Sequence, residues 1–86
     1  ICSNHRGHGH FLSMTHNSLG LLSEILGRKH GVCGGKGGSQ HLCQDGFYSN
    51  DIQGGMVPIA AGLALAKKIR KQQQISIVFI GDGTLG

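Results

Sequence analysis

Ile75-Ser76-Ile77-Val78-Phe79-Ile80, running into Gly81-Asp82-Gly83-Thr84-Leu85-Gly86, is the stretch whose reading decides the fold. Its first six residues are the β-branched and aromatic run of a buried parallel strand. Gly-Asp-Gly then sets one carboxylate, Asp82, at the carboxyl end of that strand, where open α/β sheets gather their ligands. The flanking glycines let backbone N–H groups approach a phosphate closely. A hard oxygen ligand beside free amides suits a Mg²⁺-bound diphosphate. Asp-Gly is equally an ordinary turn pair, so both readings of Asp82 stand until its surroundings are considered.

Working back from that strand, Gln72-Gln73-Gln74 form a polar connection to a nearly all-apolar segment, Ile59 to Ile69. Pro58 sits where the first turn of a helix tolerates it. A helix apolar on all sides is expected to be buried, and Gly62 with its alanines allows close approach of a neighbour. Lys67, Lys68, Arg70 and Lys71 crowd the end of this helix, where cations complement its dipole. That accounts for half of the 8 basic residues behind the +4 charge, so no nucleic-acid patch is implied. Basic residues interleaved with aromatics, the platform of a single-strand binder, are absent from the sequence.

Upstream, residues 28–56 form a long glycine-rich connection, expected to be functional rather than regular in structure. Its densest part is Gly34-Gly35-Lys36-Gly37-Gly38-Ser39-Gln40-His41. Lys36 is followed by Gly37, so the Gly-x-x-x-x-Gly-Lys-Ser/Thr spacing of a phosphate-binding Walker loop fails. Further back, Asn17 offers an N-cap, and Leu19, Leu22, Ile25 and Leu26 recur at helical spacing up to Gly27. Residues 1–12 show no period and read as a loop presenting His5, Arg6, His8 and His10. Helix, strand and ligand loop in succession make half of a doubly wound α/β unit.

With 86 residues, 16 of them glycine and no Trp, the chain is at most one small domain. It opens without Met and stops at the start of a loop, so we read it as an internal piece of a longer protein, cut at both ends. Taken alone it is expected to fold poorly and to be inactive. Three cysteines (Cys2, Cys33, Cys43) follow no disulfide framework and fit a reducing compartment. No apolar run approaches the length of a membrane span.

Five motifs occur here in one order: His5-Arg6-Gly7-His8-Gly9, Gly27-Arg28-Lys29, Gly35-Lys36-Gly37-Gly38-Ser39-Gln40-His41, Gly54 through Ala66 around Val57-Pro58, and Gly81-Asp82-Gly83. That order resembles the alpha subunit of the first, decarboxylating component of 2-oxo acid dehydrogenases of the pyruvate, branched-chain and acetoin type. The resemblance implies an α/β fold that binds thiamine diphosphate, with a parallel sheet flanked by helices, residues 1–86 being part of that domain. It implies that Arg6 binds the cofactor's diphosphate, with His5 where the family usually carries Tyr. His8 and His41 match histidines near the reacting end of the cofactor and are the candidates for proton movement. Main-chain groups of Asp51 and Gln53 match those that hold the aminopyrimidine ring. Asp82 matches the Mg²⁺ carboxylate, and Gly81, Gly83 and Thr84 its neighbours on the diphosphate.

The chemistry so implied is the cofactor's: attack on the 2-oxo carbonyl, loss of CO₂, and passage of the acyl unit to a lipoyl arm. The partners implied are a beta subunit or fused beta half, a lipoyl-bearing acyltransferase and the 2-oxo acid. The compartment implied is the cytoplasm of a bacterium, or the mitochondrial matrix or a plastid of a eukaryote. Three rivals stand beside this reading. One is a transketolase-like transferase, which shares Gly-Asp-Gly and the apolar helix. Another is a non-catalytic binding or assembly protein that keeps the fold. The last is a small zinc module built on His30, Cys33, His41 and Cys43, whose spacing matches no standard finger.

Overall fold

The computed structural model describes residues 1–85. The elements are β1 (Cys2–Ser3), α1 (His8–Thr15), α2 (Ser18–Ile25), β2 (Cys43–Gln44), β3 (Phe47–Ser49) and α3 (Met56–Ile69). A 3₁₀ turn over Asp82–Leu85 follows. β1 pairs in parallel with β3, and β3 pairs antiparallel with β2, so the sheet order is β1-β3-β2. The expected class, α/β, is what the chain forms, but the sheet is mixed rather than wholly parallel.

The antiparallel member comes from a hairpin inside the segment read as lacking regular structure. Asp45 and Gly46 both have positive φ, 47° and 85°, and form the two-residue turn that joins β2 to β3. Asp-Gly is favoured there because both central residues must be left-handed for the turn to follow the twist of the strands. Residues 1–12 are likewise more regular than expected. α1 has no strong amphipathic period, but Phe11 is fully buried and fixes it, and His16, left-handed at φ 55°, ends it.

The two helices read from the sequence form where expected. The Asn17 side chain accepts the N–H of Gly20 at 2.9 Å and starts α2. Pro58 lies in the first turn of α3, and Lys67 and Lys68 in its last. The expectation that α3 is buried on all sides does not hold. Met56 and Ala60 are buried, whereas Ile59, Leu65 and Ile69 are 46%, 57% and 72% exposed. One side of this helix has the sheet against it and the rest faces outward.

The run Ile75–Ile80 also departs from its reading as a buried strand. It makes a single parallel bridge, Cys2 with Val78, through Cys2 N to Ile77 O at 2.8 Å and Phe79 N to Cys2 O at 2.9 Å. Its other edge has no strand beside it among the described residues, so Ile75, Ile77 and Ile80 stay exposed.

Side-chain alternation along β3 divides the core in two. Phe47 packs with Phe11, Leu21 and Leu42, its ring edge-on to that of Phe11 at 5.3 Å. Tyr48 instead joins Cys2, Met56, Ala60 and Val78. α1 and α2 therefore cover one face of the sheet and α3 the other, the layering of a doubly wound unit. Among the described residues no helix is long and apolar enough to cross a membrane.

Candidate active site

Three chain segments run in parallel here: β1, β3 and the bridge around Val78. Parallel neighbours end on the same edge, so the loops leaving them emerge together. Asn4-His5-Arg6 follows β1, Asn50 to Gln53 follows β3, and Gly81 to Thr84 follows the final run. These loops enclose an open cleft of about 330 Å³ lined by Asn4, His5, Arg6, Gln53, Gly81, Gly83 and Thr84. Segments more than 70 positions apart in sequence thus meet because of strand direction alone.

The cleft is braced across its walls. Gln53 Nε2 donates to His5 Nδ1 at 2.8 Å, and the Thr84 hydroxyl donates to Gln53 Oε1 at 3.1 Å. One amide therefore ties the first loop to the last, and it leaves the His5 proton on Nε2. The Asn4 carboxamide accepts the N–H of Arg6 at 2.9 Å, an Asx turn that presents Arg6 outward. The guanidinium is exposed, and among the described residues no carboxylate pairs with it. It is a free, planar double donor of the kind that grips phosphate.

The last loop is less open than its sequence suggests. Asp82 Oδ1 accepts the N–H of Gly83 at 2.9 Å, and Gly81 O accepts the N–H of Thr84 at 3.1 Å. Both amides expected to face a diphosphate are engaged within the turn. Asp82 is exposed and does not line the cleft wall. Among the described residues no group of three or more His, Cys, Asp or Glu side chains is arranged to hold a metal, His30, Cys33, His41 and Cys43 included.

His8, His41 and Asp51 lie off the cleft wall. His8 Nε2 lies 2.7 Å from the carbonyl of Ser39. A carbonyl only accepts, so Nε2 carries the proton and Nδ1 keeps its lone pair in the neutral ring. His41 Nε2 lies 3.5 Å from Asp51 Oδ1, both side chains about half exposed.

The residue missed by the sequence reading is Glu24. It sits on α2 with no exposed surface. Its Oε1 accepts the N–H groups of Cys33 and Gly35, the latter at 3.1 Å. Its Oε2 accepts those of Gly37 at 3.0 Å and Gly38 at 3.3 Å. Burial pushes the carboxyl up, but these four N–H groups outweigh it and hold the acid below its ordinary range. The glycine-rich stretch is thus an anion nest already filled by the protein's own carboxylate. This explains why Gly35 must be glycine: its φ is +77°, and a Cβ would come within 2.5 Å of the Arg28 carbonyl. A Cβ on Gly37 would collide with the carbonyl of His41.

Comparison with known proteins identifies the family. The family described as dehydrogenase E1 component matches residues 1–86. The alpha subunit of acetoin:2,6-dichlorophenolindophenol oxidoreductase from Cupriavidus necator is 42% identical, covering 96% of this chain and 26% of the relative. The mitochondrial pyruvate dehydrogenase E1 component subunit alpha of Saccharomyces cerevisiae is 40% identical, covering 96% of this chain and 20% of the relative. The testis-specific form from Rattus norvegicus is 42% identical over 96% of this chain and 22% of the relative. The chain spans about a quarter or less of the length of these relatives.

Proposed function

The chain belongs to the dehydrogenase E1 component family, among its alpha subunits, and from that premise we propose that it contributes the diphosphate side of a thiamine-diphosphate site in a 2-oxo acid dehydrogenase. The observation that carries the proposal is the single cleft into which strand direction brings Arg6, Gln53, Gly81, Gly83 and Thr84. The donor set fits the group: an unpaired guanidinium, glycine backbone with open space where a Cβ would stand at Gly81 and Gly83, and an exposed carboxylate beside them.

In this reading Arg6 holds the diphosphate by two parallel N–H bonds. Asp82 would offer a carboxylate oxygen to Mg²⁺, which would neutralise charge on the diphosphate. A metal on Asp82 would compete with the Gly83 N–H for the carboxylate and would free that N–H for an anion. Gln53 keeps the first and last loops at a fixed separation through its own side chain, and Asp51 and Gln53 offer main-chain groups to the pyrimidine ring. His8 and His41 serve as proton carriers on the substrate side, His8 with a lone pair on Nδ1. When bound, thiamine diphosphate supplies the carbon nucleophile for decarboxylation. The net reaction releases CO₂ and transfers the acyl unit to a lipoyl sulfur, the two electrons reducing the lipoyl disulfide.

A beta subunit or fused beta half and a lipoyl-bearing acyltransferase complete the proposed machinery. The exposed apolar side chains of α3 support burial in such an assembly. The proposed compartment is the bacterial cytoplasm, the mitochondrial matrix or a plastid. The test is an assay of the intact protein with its beta partner, following reduction of 2,6-dichlorophenolindophenol by pyruvate and branched 2-oxo acids. Dye reduction that needs both thiamine diphosphate and Mg²⁺ is expected. No reduction with any of them, or ketol transfer without lipoamide, contradicts the proposal.

A further inference from the structure

The carboxylate of Glu24 has no part in the cleft, yet it collects more hydrogen bonds than any other side chain among those described. Its four donors, Cys33, Gly35, Gly37 and Gly38, lie on the segment that runs into Ser39 and His41. Ser39, next after Gly38, gives its carbonyl to His8 Nε2 at 2.7 Å. Gly37 gives its carbonyl to the N–H of His41 at 3.3 Å. Each histidine is therefore bonded either to backbone that the Glu24 carboxylate holds, Gly37, or to the residue that directly follows it, Ser39.

We propose that Glu24 is a positioning residue: by anchoring residues 33–38 it sets the tautomer of His8 and the place of His41. The inference rests on the proposed roles of those histidines, but its geometric half does not. If the Ser39 carbonyl moves, His8 loses the acceptor that keeps its proton on Nε2, and Nδ1 no longer holds a free lone pair. If Gly37 moves, the backbone bond that fixes His41 opens. A carboxylate suits the task because it only accepts and has two oxygens for two pairs of N–H groups. An amide offers one oxygen, and its NH₂ meets donors.

Two variants of the intact assembled protein test this, Glu24→Gln and the milder Glu24→Asp, which keeps the charge on a stem one methylene shorter. In Glu24→Gln, kcat is expected to fall at least ten-fold while the KM for the 2-oxo acid and the affinity for Mg²⁺-thiamine diphosphate stay within about two-fold. Glu24→Asp is expected to fall between the two, and it decides the question if Glu24→Gln does not assemble. Retention of kcat within two-fold in an assembled variant overturns the proposal. So does parallel loss of kcat, cofactor affinity and assembly, which marks Glu24 as structural only. Should the wild type reduce no acceptor with any 2-oxo acid, the activity reading fails separately. The Glu24 claim is then read from the ¹⁵N shifts of His8. Loss of the Nε2–H tautomer in Glu24→Asp supports it, and an unchanged tautomer overturns it.

Discussion

Replacing Glu24 by Gln at constant shape isolates what its carboxylate does for the glycine-rich loop. The wild-type carboxylate divides its four N–H groups evenly, two on each oxygen. The amide keeps one oxygen with two donors and turns an NH₂ toward the other two. Each buried N–H left without an acceptor costs about 1–3 kcal/mol, so the loop loses about 2–6 kcal/mol of local stability. At about 1.4 kcal/mol per decade, amides 33–38 should exchange at least about thirty-fold faster in hydrogen–deuterium exchange of the intact protein at pH 7. The pH dependence has a definite sign. The folded carboxyl is held below its unfolded value, about 4.3. Its contribution is therefore complete above that value and disappears as pH falls through the folded one. The difference between wild type and Glu24→Gln should shrink in acid. Equal protection of the two proteins at pH 7, or a difference that grows in acid, refutes the reasoning.

Three further outcomes are expected. Phe11→Ala removes a fully buried ring from the cluster with Phe47, Leu21 and Leu42 and should destabilise by about 3–5 kcal/mol, read from the urea midpoint of the intact protein. Arg6→Lys should leave that midpoint unchanged, because the side chain is exposed. It should weaken Mg²⁺-thiamine diphosphate binding about ten-fold or more by calorimetry, as a point charge replaces a two-pronged donor. Cys2 is 1% exposed and burial pushes its thiol up, against a weaker pull from Lys67. Iodoacetamide at pH 8 should therefore label exposed Cys43 well before Cys2, as peptide mass spectrometry would show.

Much of this arrangement is legible in the sequence, for reasons that differ by element. α2 is readable because its start is encoded locally, in Asn17 and the leucine period, and α3 because Pro58 and the lysines mark its two ends. The hairpin was readable too: Asp45-Gly46 before Phe47 is a strong local turn signal, masked by the glycines around it. The meeting of Arg6 with Gly81 and Gly83 follows from the parallel direction of β1, β3 and the final run, which stays hidden in the sequence because β1 and β3 are only two and three residues long. Glu24 is different. Its partners are backbone groups 9 to 14 residues away, and no side-chain pattern announces them. Gln53 was readable only in part. The sequence marks its main chain, whereas the fold uses its amide to join His5 to Thr84.

The most direct test of the central claim is a crystal structure of the intact, partner-assembled protein soaked with Mg²⁺ and thiamine diphosphate. The diphosphate is expected within hydrogen-bonding distance of the Arg6 guanidinium, with an Asp82 oxygen on the metal and the Gly83 N–H turned to the anion. A diphosphate seated elsewhere, or a metal bound without Asp82, contradicts the account.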